Sequence, residues 1–220
     1  MTDNIYFFVP NIIDYFRVVF AFVSFYYMPF DHVRASLFYL LSGFLDAFDG
    51  HFARLLNQSS KLGAMLDQLI DRITTMCLCA TLCHLYPSYM LFFQFAMALD
   101  IFSHWMHCQG SAVSGQTSHK TIDLAKNPIL YHYYHSKVVL FTMCAANELF
   151  FCMLYLMYFT TGPIVPVLGV GLWKLVAVLT GPLACLKGVV SVVQLLAACE
   201  NYAIMDRDDR QRMKAEGKSQ

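Results

Sequence analysis

The 220 residues are 58% hydrophobic and only 14% charged, against roughly a quarter charged in soluble domains, which leaves too little polar surface to cover a water-facing exterior. Lys plus Arg balance Asp plus Glu at 15 each, the formal net charge is zero and no long basic run occurs, which argues against nucleic acid as the partner. The bilayer is the expected solvent, and neither a solenoid-period repeat nor a low-complexity tract points to another architecture.

Six apolar stretches follow one another along the chain. The first, 11–30, starts behind Pro10 and carries Asp14 and Arg17 three residues apart. Such a pair can simply neutralise itself, but an ionisable group inside a span is by default a functional candidate. The opening Met1-Thr-Asp-Asn-Ile-Tyr lacks the basic start of a cleavable signal, so this span is expected to be retained. The second stretch, 33–45, is short of the roughly 20 residues needed to cross a bilayer core unless its helix continues to 56. The third, fourth and fifth cover 62–86, 89–108 and 137–160. A connection at 163–171, with Pro166 and Gly169, leads into the sixth at 172–199, where Gly181-Pro182 predicts a kink. Asp100, Glu148 and Lys174 are expected at interfaces or helix contacts, and the mixed-charge stretch 206–218 as a solvated, helical or frayed end. The whole reads as one membrane domain, 1–220, with a bundle over about 11–200 and a tail at 201–220.

Lys and Arg fall in alternate connections. Lys61 stands close to Arg54, Lys120 and Lys126 lie in 109–136, and five basic residues lie in the tail, whereas the other connections hold Arg34 alone. The positive-inside bias therefore places both termini and the 56–61 connection in the cytosol. All eight cysteines lie within or at the end of apolar runs and none forms a C-x-x-C pair, which fits small packing residues better than disulfides or zinc. His104 and His107 have ligand-like spacing, but without a further carboxylate they read as a packed or interfacial pair.

Between the second and third stretches lies the chemistry. Asp46 and Asp49 are three apart, Asp67 and Asp71 four apart, so on helices each couple shares a face. Four carboxylates in one small volume cannot all stay ionised without cations, and Arg54 and Arg72 are too few. All-oxygen ligation suits Mg²⁺ or Mn²⁺, and two such ions about 3.5–4 Å apart clamp phosphoryl chemistry. A calcium loop of EF-hand type needs acids at alternate positions, which this spacing does not supply.

The pattern D-x-x-D-G-x-x-A-R-x8-G-x-x-x-D-x-x-x-D over residues 46–71 resembles, position for position, the signature of the CDP-alcohol phosphatidyltransferase family. Phe-Val-Pro-Asn-Ile-Ile near the start, Tyr-Leu-Leu-Ser-Gly-Phe-Leu-Asp-Ala-Phe-Asp-Gly-His and Ser-His-Lys-Thr-Ile-Asp-Leu extend the likeness to the eukaryotic members that use inositol. The resemblance implies an all-α integral membrane protein, a bundle of six transmembrane helices, in the endoplasmic reticulum as a homodimer. It implies transfer of the phosphatidyl group from CDP-diacylglycerol to myo-inositol with two Mg²⁺ or Mn²⁺ ions. Asp46, Asp49 and Asp67 would hold the ions, and Asp71 would be both ligand and general base. Gly50 and Ala53 would leave room for the nucleotide, Arg54 would donate to it, and Gly63 would permit close helix approach. Ser60 is either a nucleotide contact or a helix cap.

Inositol is neutral and leaves no charge signature. The polar stretch 111–136, with His119, Lys120, Asp123 and Asn127, and Lys137 just beyond, is the candidate acceptor site, with an ordinary wet connection as the alternative. Sister enzymes that accept glycerol phosphate or serine, and a cation transporter, complete the candidate functions.

Overall fold

In α1 (Val9–Tyr27) the buried face is Pro10, Asn11, Asp14, Arg17, Ala21 and Ser24, while Phe16, Val19, Phe22 and Tyr26 point outward. Polar inside and apolar outside reverses the pattern of a helix in water. It is what a bilayer demands, since lipid favours the apolar face and leaves the polar groups to pair with protein. The computed structural model describes residues 4–117, 128–166 and 168–217. Beyond α1 it comprises α2 (His32–Leu55), α3 (Lys61–Leu85), α4 (Met90–Thr117), α5 (Pro128–His135), α6 (Lys137–Phe159), a two-residue antiparallel ladder of β1 (Ile164–Val165) with β2 (Val170–Gly171), and α7 (Leu172–Ala215).

Among the described residues three helices, α1, α6 and α7, are long and apolar enough by composition to cross a membrane. The charges of α2 and α3, Asp46, Asp49, Arg54, Asp67, Asp71 and Arg72 among them, lower the mean hydropathy of helices that have the length to span, at 24 and 25 residues. One sequence expectation changes: the stretch 109–136 is not all connection, because α4 runs on to Thr117 and α5 occupies Pro128–His135. The last helix includes Pro182 and runs to Ala215, so the mixed-charge end takes the helical form.

The chain forms two compact units, residues 1–94 with 151–174, and 95–150 with 175–220. In the first, α1 packs mainly on α2 and also on α3. Small residues set the α1–α2 approach: the Ser24 hydroxyl donates to the Ala35 carbonyl at 2.8 Å and the Ser42 hydroxyl to the Arg17 carbonyl at 3.0 Å. Tyr155 Oη donates to Met28 O and Tyr86 Oη to Leu154 O, which pins α6 to the ends of α1 and α3. In the second unit Leu130, Tyr133, Met143 and Val190 form an apolar core. Beside it, Asp100 of α4 takes the buried Lys187 of α7 at 3.1 Å, a helix-to-helix contact of the kind the sequence suggested for that aspartate.

The inverted burial of α1 makes a prediction. Ser24→Leu, which forces volume into the α1–α2 contact, should cost about 1–3 kcal/mol, whereas Phe22→Leu on the outward face should change stability by less than about 0.5 kcal/mol. Thermal unfolding of both variants in the same detergent checks the order.

Candidate active site

The α2–α3 connection is short and tightly specified. Asn57 adopts a left-handed conformation (φ 54°), Gln58 N–H donates back to Ala53 O at 2.9 Å, and Asn57 N–H reaches Arg54 O at 3.4 Å. This is the Schellman arrangement, which satisfies the last carbonyls of α2. Three residues later Ser60 caps α3, its hydroxyl accepting from Gly63 N–H at 3.0 Å. From this turn both helices go on to pack against α1. Asp49 and Asp67 lie on the turns nearer the loop, Asp46 and Asp71 about one helical turn farther in.

A single side chain joins all four. Arg17 of α1, 2% exposed, directs Nη1 to Asp49 Oδ2 at 2.7 Å and Asp67 Oδ1 at 2.8 Å, and Nη2 to Asp71 Oδ1 at 2.7 Å and to Asp46 Oδ1. Nη1 also holds Asp14 Oδ1 at 3.1 Å. Arg17 thus gathers carboxylates from both helices, Nη1 those of Asp49 and Asp67 and Nη2 those of Asp46 and Asp71. The sequence marks Arg17, with Asp14, as an ionisable pair inside a span and hence a functional candidate, without assigning it a place among the four aspartates. Arg72 lies 3.9 Å from Asp71 Oδ2.

Exposure divides the acids. Asp14 and Asp49 side chains are 2% and 10% exposed, while Asp46, Asp67 and Asp71 stand at 40–45%. One oxygen from each of Asp46, Asp49 and Asp67 lies within 4.8 Å of the others, the group among the described residues whose donors converge tightly enough for a metal ion. The donor set is wholly carboxylate, which fits a hard divalent cation. His104 instead meets Asp100, His107 stacks on Tyr134, and all eight cysteines are free thiols.

Toward the loop the centre opens into a cavity of about 210 Å³, lined by Asn11, Asp49, Gly50, Ala53, Arg54, Ser60, Gly63 and Asp67 among others. Every nucleotide-contact residue expected from the sequence lines it. A Cβ on Gly63 would stand 2.6 Å from Asn11 Oδ1, so the close approach that requires glycine is to α1. Gln58 Oε1 accepts from Val9 N–H at 2.8 Å and ties the loop to the start of α1, satisfying one of its unpaired donors. Lys137 is exposed at the first position of α6, and Lys120 and Asn127 lie outside the described residues.

The sequence pattern that defines CDP-alcohol phosphatidyltransferases matches residues 7–158. The chain belongs to the CDP-alcohol phosphatidyltransferase family. It is 54% identical to the human CDP-diacylglycerol–inositol 3-phosphatidyltransferase over 212 residues, 96% of this chain and 99% of that protein. The Drosophila melanogaster enzyme of the same name is 44% identical over 95% of this chain and 91% of its own length, and that of Saccharomyces cerevisiae 43% over 72% of each. No solved structure matches significantly. Within this family of membrane transferases, the centre just described coincides with the D-x-x-D-G-x-x-A-R segment and its two following aspartates.

The glycines make contrasting predictions. Gly63→Ala must displace the buried Asn11 and should cost about 1–3 kcal/mol of stability. Gly50→Ala meets only the tip of Arg54, at 3.4 Å, and should be neutral or slightly stabilising within about 1 kcal/mol, because alanine favours helix. Unfolding midpoints in detergent decide.

Proposed function

We propose that the chain transfers the phosphatidyl group of CDP-diacylglycerol to myo-inositol, giving phosphatidylinositol and CMP. The observation that carries this is the gathering of Asp46, Asp49, Asp67 and Asp71 at the inner end of a cavity lined by Gly50, Ala53, Arg54 and Gly63, in a chain 54% identical to the human inositol transferase. The nucleotide and its pyrophosphate enter the cavity from the loop side. Gly50 and Ala53 leave the floor low, and Arg54, exposed and without an ion pair among the described residues, donates to phosphate oxygens. Ser60 Oγ is already engaged as a helix cap and can accept or donate further only from that fixed position.

Asp46, Asp49 and Asp67 hold two Mg²⁺ or Mn²⁺ ions with Asp71. When bound, these neutralise the charge that builds on the phosphoryl group and on departing CMP. Asp71, one turn past the cavity and 40% exposed, is placed to receive the acceptor. With one carboxylate oxygen toward an ion, the other would take the proton as the inositol oxygen bonds to the phosphorus nearest the diacylglycerol and the phosphorus–oxygen bond to CMP breaks. Lys137, with Lys120 and Asn127, covers the acceptor in this reading.

The same reading places a single membrane domain of six transmembrane helices, α1, α2, α3, α4, α6 and α7, in the endoplasmic reticulum membrane as a homodimer. Both termini and the active site face the cytosol, following the Lys and Arg distribution. Helices α2, α3 and α4, of 24, 25 and 28 residues, exceed the roughly 20 needed to span, and α4, α6 and α7 each supply residues to both compact units.

CMP release from CDP-diacylglycerol with Mg²⁺ or Mn²⁺ and each alcohol in turn tests the function. Inositol should support turnover, while glycerol phosphate and serine should not, and release with none of the three would reject the reading. EDTA should stop the reaction and added ion restore it. Alanine at Asp46, Asp49 or Asp67 should abolish turnover together with metal-dependent nucleotide binding. Asp71→Asn should lose about 10²–10⁴ in single-turnover rate while retaining CDP-diacylglycerol binding. Lys137→Ala should raise the inositol KM more than that for CDP-diacylglycerol, and equal effects would remove Lys137 from the acceptor site.

A further inference from the structure

Five carboxylates surround one guanidinium at this centre. Asp14, Asp46, Asp49, Asp67 and Asp71 each give Arg17 one oxygen, so with all five ionised the group would be four charges short of neutrality, the deficit that two divalent cations would make up. Arg17 is not a neutral strut in that count. Its fork presents Nη1 to the Asp49–Asp67 couple and Nη2 to the Asp46–Asp71 couple, the same carboxylates that would ligate metal. Its Nε, buried, has no acceptor among the described residues, so the bonding of the guanidinium is directed wholly into the acidic centre.

We propose that Arg17 is the resident counter-cation of the metal-free centre, and that it competes with divalent ions for the carboxylates of Asp46, Asp49, Asp67 and Asp71. Without metal, four aspartates this close would repel one another and push α2 from α3. The planar fork offsets that repulsion at both couples at once, which a point charge on lysine could not match. As ions bind, Arg17 yields those oxygens. Asp14 keeps it in place, since that carboxylate sits on the same helix three residues back and is 2% exposed. The guanidinium therefore stays within the centre as a positive group while its contacts change. Asp14 and Arg17, otherwise a self-neutralising pair, become the device that keeps the site assembled between ion losses.

This rests on the two-ion reading, and the experiment separates the two. Mn²⁺ binding to the full-length protein in detergent, without substrate, is followed by the electron paramagnetic resonance of free Mn²⁺, and unfolding is recorded in EDTA and at saturating Mn²⁺. Arg17→Gln should bind Mn²⁺ at least about tenfold more tightly than the native chain, a lower bound for removing a unit charge a few ångströms away. Arg17→Lys should fall between them. In EDTA both variants should unfold at lower temperature than the native protein, and saturating Mn²⁺ should close that gap. Mn²⁺ affinity equal to or weaker than native in the variants, or a Tm gap undiminished by Mn²⁺, would overturn the proposal and leave Arg17 a fixed structural contact. Should Arg17→Gln not fold, the rank of Arg17→Lys against native decides alone. Absence of saturable Mn²⁺ binding by the native protein would instead remove the two-ion site itself.

Discussion

Charge concentrated in a medium that cannot solvate it is the constraint on which the first unit depends. A charged side chain at the bilayer centre costs a few kcal/mol even on the mildest scale, and six such groups meet where α1, α2 and α3 converge. The arrangement is tolerable because every carboxylate faces the same guanidinium and each cross-helix couple takes one arm of its fork. Much of the surrounding packing follows. Ala21, Ser24, Ala35 and Ser42 are small and buried, so the backbones of α1 and α2 approach closely enough for Arg17 to reach across. The tight turn at Asn57 brings α2 and α3 to the same side chain of α1, so that Asp46, Asp49, Asp67 and Asp71 all reach Arg17. A slip of one residue in either helix would turn a carboxylate away from the fork by about 100°.

The aspartate motif was legible because its information is local: fixed spacings on two helices joined by a short loop. The helix starts were legible too, through Pro10 and the Ser60 cap. What sequence spacing could not show is the partnering between helices. Asp46 and Asp49 share a face of α2, yet Arg17 joins them to Asp67 and Asp71 of α3. Arg17 was read with Asp14, three residues away, because that partner is visible in one dimension and the other four are not. Lys187 escaped notice for the same reason: it lies in an apolar run, and its partner Asp100 is 87 residues away. The continuation of α4 to Thr117 and the helix α5 were hidden by polarity, since a helix leaving the apolar region loses the oily pattern by which spans are recognised.

The cavity shows how one motif serves two needs. Gly63 and Gly50 are both in the signature, but for different physical reasons. At Gly63 a side chain would strike the buried Asn11, so glycine there is a condition of α3 meeting α1. At Gly50 the nearest atoms belong to the flexible end of Arg54, so glycine there preserves empty space in the cavity. The first serves the fold and the second keeps the cavity open. Neighbouring letters of one pattern therefore report on separate links between structure and chemistry.

The Asp14–Arg17 contact at 3.1 Å also bears on how the chain enters a membrane in the first place. During synthesis α1 emerges before α2 and α3 exist, so Arg17 has none of its later partners when the first span leaves the ribosome. A lone arginine at the helix centre would oppose insertion by about 2.5–3.5 kcal/mol. Asp14, one turn away on the same face, travels with it and lets the segment partition as an internally compensated dipole. The aspartates of α2 and α3 then arrive to find a cation already in the bilayer. Order of synthesis, in this protein, is also the order in which membrane charge can be tolerated.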